Sequence, residues 1–399
     1  MKHFGLHALF LCGFRPFFLA AVLTALVAMS LWGGFLFLGL PLPPVTGGPL
    51  VWHGHEMILG FGVAALVGFL LTATPELTDT PPIPRKWVIL LVALWLLARL
   101  GYAIGGHGQW LTAFTEIGLL GLLAALIAPR LWNDPQRRHL AFLWAVLLLW
   151  GGTLGFHLDA LRGHYPMRWL LAAAGLFMAL IVLAMSRISM RIVNEELKRL
   201  GRDDLEYLSR PPRRNLTVFC IGAYTLAELL APLHPVSGWL ALAAAAAVFN
   251  LTNDWHLGRP LFRRWILMLY VVYWLIALGY LVLGLSILTD TVLVGAGRHL
   301  LMIGGLGGAA FMVMNIAGRI HVGLALERRP WLPLAMGALM GAALVRAGAA
   351  YPGSAAGILL LLAMTGWLLA FALLLIRLAP LWLRPRGDGG AGCAGPSEQ

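Results

Sequence analysis

The chain has 399 residues, of which 60% are hydrophobic and only 12% charged, with a formal net charge of +12. Soluble globular domains carry about 25% charged residues, so this composition excludes a soluble enzyme and defines an integral membrane protein whose surrounding phase is the lipid bilayer. On such a chain the positive excess belongs to loops that set topology, which argues against nucleic acid as a partner.

Taken in order, apolar stretches long enough to cross a bilayer fall at 17–39, 53–74, 86–104, 110–128, 139–157, 169–190, 216–232, 236–252, 264–288, 295–317, 331–349 and 354–378. At a rise of about 1.5 Å per residue these predict an all-α, polytopic bundle of about twelve transmembrane helices. Turn residues punctuate the boundaries, as in Pro41-Leu42-Pro43-Pro44, Gly105-Gly106 and Asn133-Asp134-Pro135. Arg15 interrupts the first apolar run and no cleavable signal follows it, so the first span reads as a retained anchor. If the N-terminus is cytoplasmic, every Lys and Arg falls on the inner side except Arg162, Arg168, Arg298 and Arg346, with Arg99 inside a span. That asymmetry predicts both termini on the cytoplasmic side of the membrane. Residues 1–383 read as one transmembrane domain. Its sizeable charged segment, 187–214, is expected to continue the sixth span on the cytoplasmic side. The Gly-rich polar tail 384–399 reads as disordered. The last six spans show no convincing repeat of the first six. Cys12, Cys220 and Cys393 are scattered singly, which indicates neither a disulfide framework nor a covalently attached haem.

The polar stretch around which the rest is organised is Trp52-His53-Gly54-His55-Glu56-Met57, at the mouth of the second span. On an α-helix His53 and His55 lie about 200° apart, so a fully helical segment cannot aim both at one metal. His53 would sit one turn above Met57, a soft ligand suited to copper. His55 would stack above Leu59, Gly62, Leu66 and Phe69. The predicted topology puts His157 and His299 at the same outer level, making His53, His55, His157 and His299 the candidate cofactor and metal ligands. Glu56, Glu116 and Glu228 lie within spans near their outer ends. Arg99 and Glu116 flank the turn at Gly105-Gly106 at similar depth and are expected to neutralise each other, since a lone charge there costs about 2.5–3.5 kcal/mol. Glu56 and Glu228 have no basic partner evident in the sequence, and are read as proton carriers or as acceptors that orient a histidine ring.

Three runs, Gly13-Phe14-Arg15-Pro16-Phe17-Phe18-Leu19, Trp52-His53-Gly54-His55-Glu56-Met57 and Gly68-Phe69-Leu70-Leu71-Thr72-Ala73, resemble in order and spacing the N-terminal motifs of the NnrS family of bacterial membrane proteins. Gly155-Phe156-His157-Leu158 and His299 with the Gly304 to Gly308 cluster resemble that family's elements at its fifth and tenth spans. The chain departs from it where a GHTG-type element is usual and Gly318-Arg319-Ile320-His321-Val322-Gly323 stands instead, so no role is carried over to His321. The resemblance implies haem b, with copper as a further metal, and a role in the response to nitric oxide or nitrosylated iron, often in denitrifying bacteria. It implies no particular reaction and no oligomeric state.

Two other readings compete. A haem-copper oxidase or nitric oxide reductase subunit would also have about twelve spans, but the chain contains neither an adjacent His-His pair nor a His-Pro-Glu motif. A secondary transporter with an outward-facing histidine and carboxylate site matches the long central segment. It lacks the Gly-rich basic signature between spans two and three.

Overall fold

The computed structural model describes residues 6–135, 137, 139–351, 353–386 and 393. Among them there is no strand. Twelve long helices follow one another: α1 (Phe14–Leu38), α2 (Gly48–Thr78), α3 (Arg85–Ile104), α4 (Gly108–Trp132), α5 (Leu140–Leu161), α6 (Met167–Arg199), α7 (Pro211–Leu230), α8 (Pro235–Thr252), α9 (Arg264–Leu288), α10 (Val294–Ile320), α11 (Trp331–Gly348) and α12 (Ala356–Trp382). Eleven are long and apolar enough to cross a membrane. The other, α7, is long enough, but Arg213, Arg214 and Asn215 in its first turns and Glu228 in its last make it less apolar. The chain is therefore a multi-pass helical membrane protein.

The residues gather into two compact units, one of 1–173, 313–329 and 371–399, the other of 174–312 and 330–370. In the first unit, α1 packs on α2 where Gly68 receives the rings of Phe17 and Phe18; a Cβ there would stand 2.8 Å from Phe18 Cδ1. Helices α3 and α4 form a tight hairpin. Gly105 turns with φ +67°, and Gly101 and Gly108 bring the two backbones into contact. Such small-residue seams are how membrane helices approach closely without a hydrophobic driving force. Thr112 of α4 donates to the Ala98 carbonyl of α3 at 3.2 Å, which sets Arg99 level with Glu116.

Arg15 does more than interrupt the first apolar run. It is fully buried, and its Nη1 donates to the carbonyls of Ala8 (3.1 Å), Trp382 (3.1 Å) and Arg384 (2.6 Å), tying the end of α12 to the start of α1. The same meeting point joins Cys12 to Cys393 in a disulfide, correcting the reading of three unpaired cysteines. Spacing along the chain carried no sign of it, because only the return of the tail beside Cys12 brings the two sulfurs together. His321 lies here too: its Nδ1 donates to the Cys393 carbonyl (2.9 Å), and its Nε2 is 3.7 Å from Glu76. Arg384, Pro385, Arg386 and Cys393 are the described part of the tail; the rest of it lies outside the described residues.

In the second unit α8, α9 and the first half of α10 are joined by glycine seams, with Gly284 against the Gly238 carbonyl and Gly297 against that of Gly279. The charged segment after span six is helical to Arg199. It then folds back, because the Asn194 side chain both donates to the Tyr207 carbonyl (3.0 Å) and accepts from the Tyr207 N–H (2.8 Å). Asp254 accepts from Arg213 Nη1 at 2.6 Å and from the Arg210 N–H at 3.0 Å, closing the connection to α7.

Two helices depart from α geometry. Residues Glu56–Gly62 of α2 and Leu300–Gly307 of α10 are π-helical, and each π turn begins directly after a histidine, His55 or His299. These are also the two most enclosed spans, each 83% buried. Single π turns are uncommon and concentrate at functional sites.

Candidate functional site

The π turn in α2 is what builds the site. Wider than the α-helix, it breaks the stripe through Leu59, Gly62, Leu66 and Phe69 that an unbroken helix would place under His55. It also lets two consecutive residues act together: His55 Nδ1 lies 3.2 Å from Glu56 Oε1. The other ring nitrogen, Nε2, lies 3.2 Å from Glu116 Oε2 of α4, and His157 Nε2 of α5 lies 2.8 Å from that same oxygen. Donor atoms of His55, Glu116 and His157 all fall within 4.8 Å of one another, and all three residues are buried.

Arg99 closes the arrangement. Its Nη1 donates to Glu56 Oε1 at 2.5 Å and its Nη2 to Glu116 Oε1, so one guanidinium bridges both carboxylates. Glu56 thus has the basic partner that the sequence did not reveal, and Glu228 likewise accepts from Arg298 Nη2 at 2.8 Å in the second unit. Gly60 makes the Arg99 bridge feasible. A Cβ there would come within 2.9 Å of Arg99 Nη1 and 3.3 Å of Glu56 Oε2. The Gly60 carbonyl accepts from the Trp95 indole N–H at 3.2 Å, and the Trp95 ring lies beneath the guanidinium. Gly60→Ala is accordingly expected to displace Arg99 and destabilise the protein by about 1–3 kcal/mol, the usual cost of overpacking. Thermal unfolding in detergent, followed by tryptophan fluorescence, measures it.

Two aromatic rings pack against His55: Tyr102 stacks on it with centroids 3.7 Å apart, and Phe156 lies 5.1 Å away. The ring cannot turn to avoid either carboxylate. With a carboxylate oxygen facing each nitrogen, a neutral imidazole would set a lone pair against an anion on one side. Two carboxylates against one guanidinium leave the cluster one positive charge short, and burying that deficit is costly. The deficit is met by a proton on His55, by a proton on a carboxyl group, or by a cation bound where the Nε2 proton would be.

Other candidates fall elsewhere. His53 stacks on Trp32 of α1 with ring centroids 4.4 Å apart and is not one of the three grouped donors, and Met57 packs in an apolar group with Ala28, Trp52 and Tyr102. His299 belongs to the second unit, where its Nδ1 donates to the Gly295 carbonyl at 2.7 Å. His321 pairs with Glu76 at the opposite end of α2 from His55. Sequence reasoning assigned Glu116 to an ion pair and missed it as a third donor. Its equal depth with Arg99 was the available signal, but the approach of α5 that adds His157 was not. Tyr102 and Gly60 gave no signal at all.

Fold and site together define a polytopic membrane protein with a buried two-histidine, one-carboxylate centre. A family model described as NnrS protein matches residues 8–386, nearly the whole chain. The protein belongs to the NnrS family. No curated protein matches the chain closely enough to count as a relative.

Proposed function

We propose that this is a copper- and haem-binding inner-membrane protein of the nitric oxide response, and that His55, Glu116 and His157 hold the copper. The observation that carries the reading is the buried group of three donors, two imidazoles and a carboxylate, within 4.8 Å of one another, beside two carboxylates that one guanidinium does not balance. Its donor set suits that metal, since imidazole and carboxylate together favour divalent copper or zinc. The spacing fits as well: N and O ligands at about 2.1 Å from one ion stand about 3.0 Å apart at the right angles of a tetragonal copper site, close to the 3.2 and 2.8 Å between Glu116 Oε2 and the two imidazoles. A bound cation would take the place of the shared proton. Glu56 would then orient the His55 ring through Nδ1, while Arg99 holds both carboxylates in place.

His299 supports the haem half of the proposal. Donation from Nδ1 to the Gly295 carbonyl leaves Nε2 with its lone pair, the form in which imidazole binds iron. Bound copper and haem would supply one-electron chemistry and an iron that binds nitric oxide. The polypeptide would position both and exclude bulk water from the His55 cluster.

The test is the absorption spectrum and metal content of protein purified from cells grown with ample haem and copper. Expected are haem bands that shift with nitric oxide, together with copper bound at close to one ion per chain. His299→Ala should lose the haem bands while His107→Ala and His234→Ala, both at exposed positions, keep them. A colourless, metal-free wild type would sink the proposal. It would favour a transporter in which the same histidines and carboxylates carry protons or substrate.

A further inference from the structure

The bond between Cys12 and Cys393 stands where a lasting disulfide is not expected. It lies at the end of the first unit where Arg15, Arg384 and Arg386 gather, the side that the Lys and Arg asymmetry predicts to be cytoplasmic. Cytoplasmic thiols are held reduced, and the disulfides that do form there are usually transient ones that sense redox state or turn over in catalysis. The third cysteine, Cys220, is free and belongs to the second unit.

The two sulfurs are held differently. Cys12 is buried, with its Sγ 3.7 Å from the Thr72 hydroxyl of α2 and its carbonyl accepting from the Arg15 N–H at 3.2 Å, just before α1 begins. Cys393 is only partly buried. Its carbonyl accepts from His321, whose other ring nitrogen faces the exposed Glu76, so the Cys393 side of the bond is the one nearer water. The charges around Cys12 favour a sulfur anion. Arg15 is fully buried and gives Nη1 to three carbonyls, while its Nε and Nη2 have no acceptor among the described residues. The N-terminus of α1 adds the positive end of its dipole beside Cys12. A thiolate leaving from Cys12 is therefore released among positive groups, the setting in which thiols are reactive.

We infer that Cys12 and Cys393 form a reversible redox latch, which fastens Cys393 to the start of α1 when the cytoplasm turns oxidising and lets it go when glutathione-type thiols prevail. Reduction proceeds by exchange. A reductant thiolate attacks the Cys393 sulfur, the S–S bond breaks, and Cys12 leaves as a thiolate and takes up a proton. A second reductant thiolate attacks the reductant sulfur now joined to Cys393, which frees Cys393 and leaves the reductant as its own disulfide. Two reductant thiols are oxidised and two protein thiols are regained. Formation of the bond is the same sequence reversed, with the reductant's disulfide accepting the two electrons. The latch rests on neither the copper nor the haem proposal.

Counting thiols tests it. Purified full-length protein is equilibrated with mixtures of reduced and oxidised glutathione, quenched with acid, denatured, and alkylated with a maleimide large enough to shift the gel band once per thiol. Expected are one reactive thiol, Cys220, at the oxidised end and all three cysteines at the reduced end, with half-conversion at a ratio within the cytosolic range. In the native protein, Cys12→Ser should trap glutathione on Cys393 at least about tenfold faster than Cys393→Ser traps it on the buried Cys12. A single thiol throughout the cytosolic range would mean a permanent structural bond, and three thiols even in excess oxidised glutathione would mean no bond; either result overturns the latch. Equal trapping at the two cysteines would overturn the assignment of Cys393 as the sulfur attacked.

Discussion

Arg99→Met should be among the most damaging single substitutions in this protein, with a loss of about 3–5 kcal/mol, the cost of removing one partner from a buried ion pair. The side chains involved are nearly enclosed, at 13% exposure for Arg99, 11% for Glu56 and 4% for Glu116. Removing the guanidinium leaves two carboxylates facing each other and His55 with a single compensating proton. Loss of the folded peak on size-exclusion chromatography, or a large drop in melting temperature, is the expected result. The triple variant Arg99→Met, Glu56→Gln, Glu116→Gln should recover most of the stability, because it removes the charges together and leaves polar groups able to hydrogen-bond. A single variant that melts within about 1 kcal/mol of the wild type would mean that the carboxylates are already protonated. The charge argument for a bound cation would then fall.

His157→Ala should lower copper affinity by at least about 100-fold, beyond the 10- to 100-fold typical for losing a partner outside the ligand set. Glu56→Gln should fall within that smaller range, since Glu56 meets His55 at Nδ1 and not at the nitrogen facing Glu116. His53→Ala and Met57→Ala should leave copper binding unchanged, because His53 stacks on Trp32 and Met57 packs among apolar side chains. Competition with a chelator of known affinity, read by metal analysis, ranks the four variants. Equal losses for His53→Ala and His157→Ala would show that the donors are not those that the geometry groups together.

What the sequence determined by itself was the framework. Hydropathy set the long helices, because a backbone in lipid must satisfy its own hydrogen bonds and helices do so locally. The depth of Arg99 and Glu116 on either side of a glycine turn was legible for the same reason, since both lie on one short hairpin. What only the tertiary structure decided depended on backbone geometry that no residue type announces, or on contacts between segments distant in sequence. The π turn after His55 swings Glu56 alongside its neighbour, where a regular helix would separate them. The convergence of α2, α4 and α5 turns Glu116 from half of an ion pair into the oxygen shared by two imidazoles. The return of the chain's end to Arg15 and Cys12 likewise follows from packing over the whole length of the fold. Hydropathy is a property of each segment and can be read along a line. Charge compensation is a property of what meets in space, and it emerges only when the segments are packed.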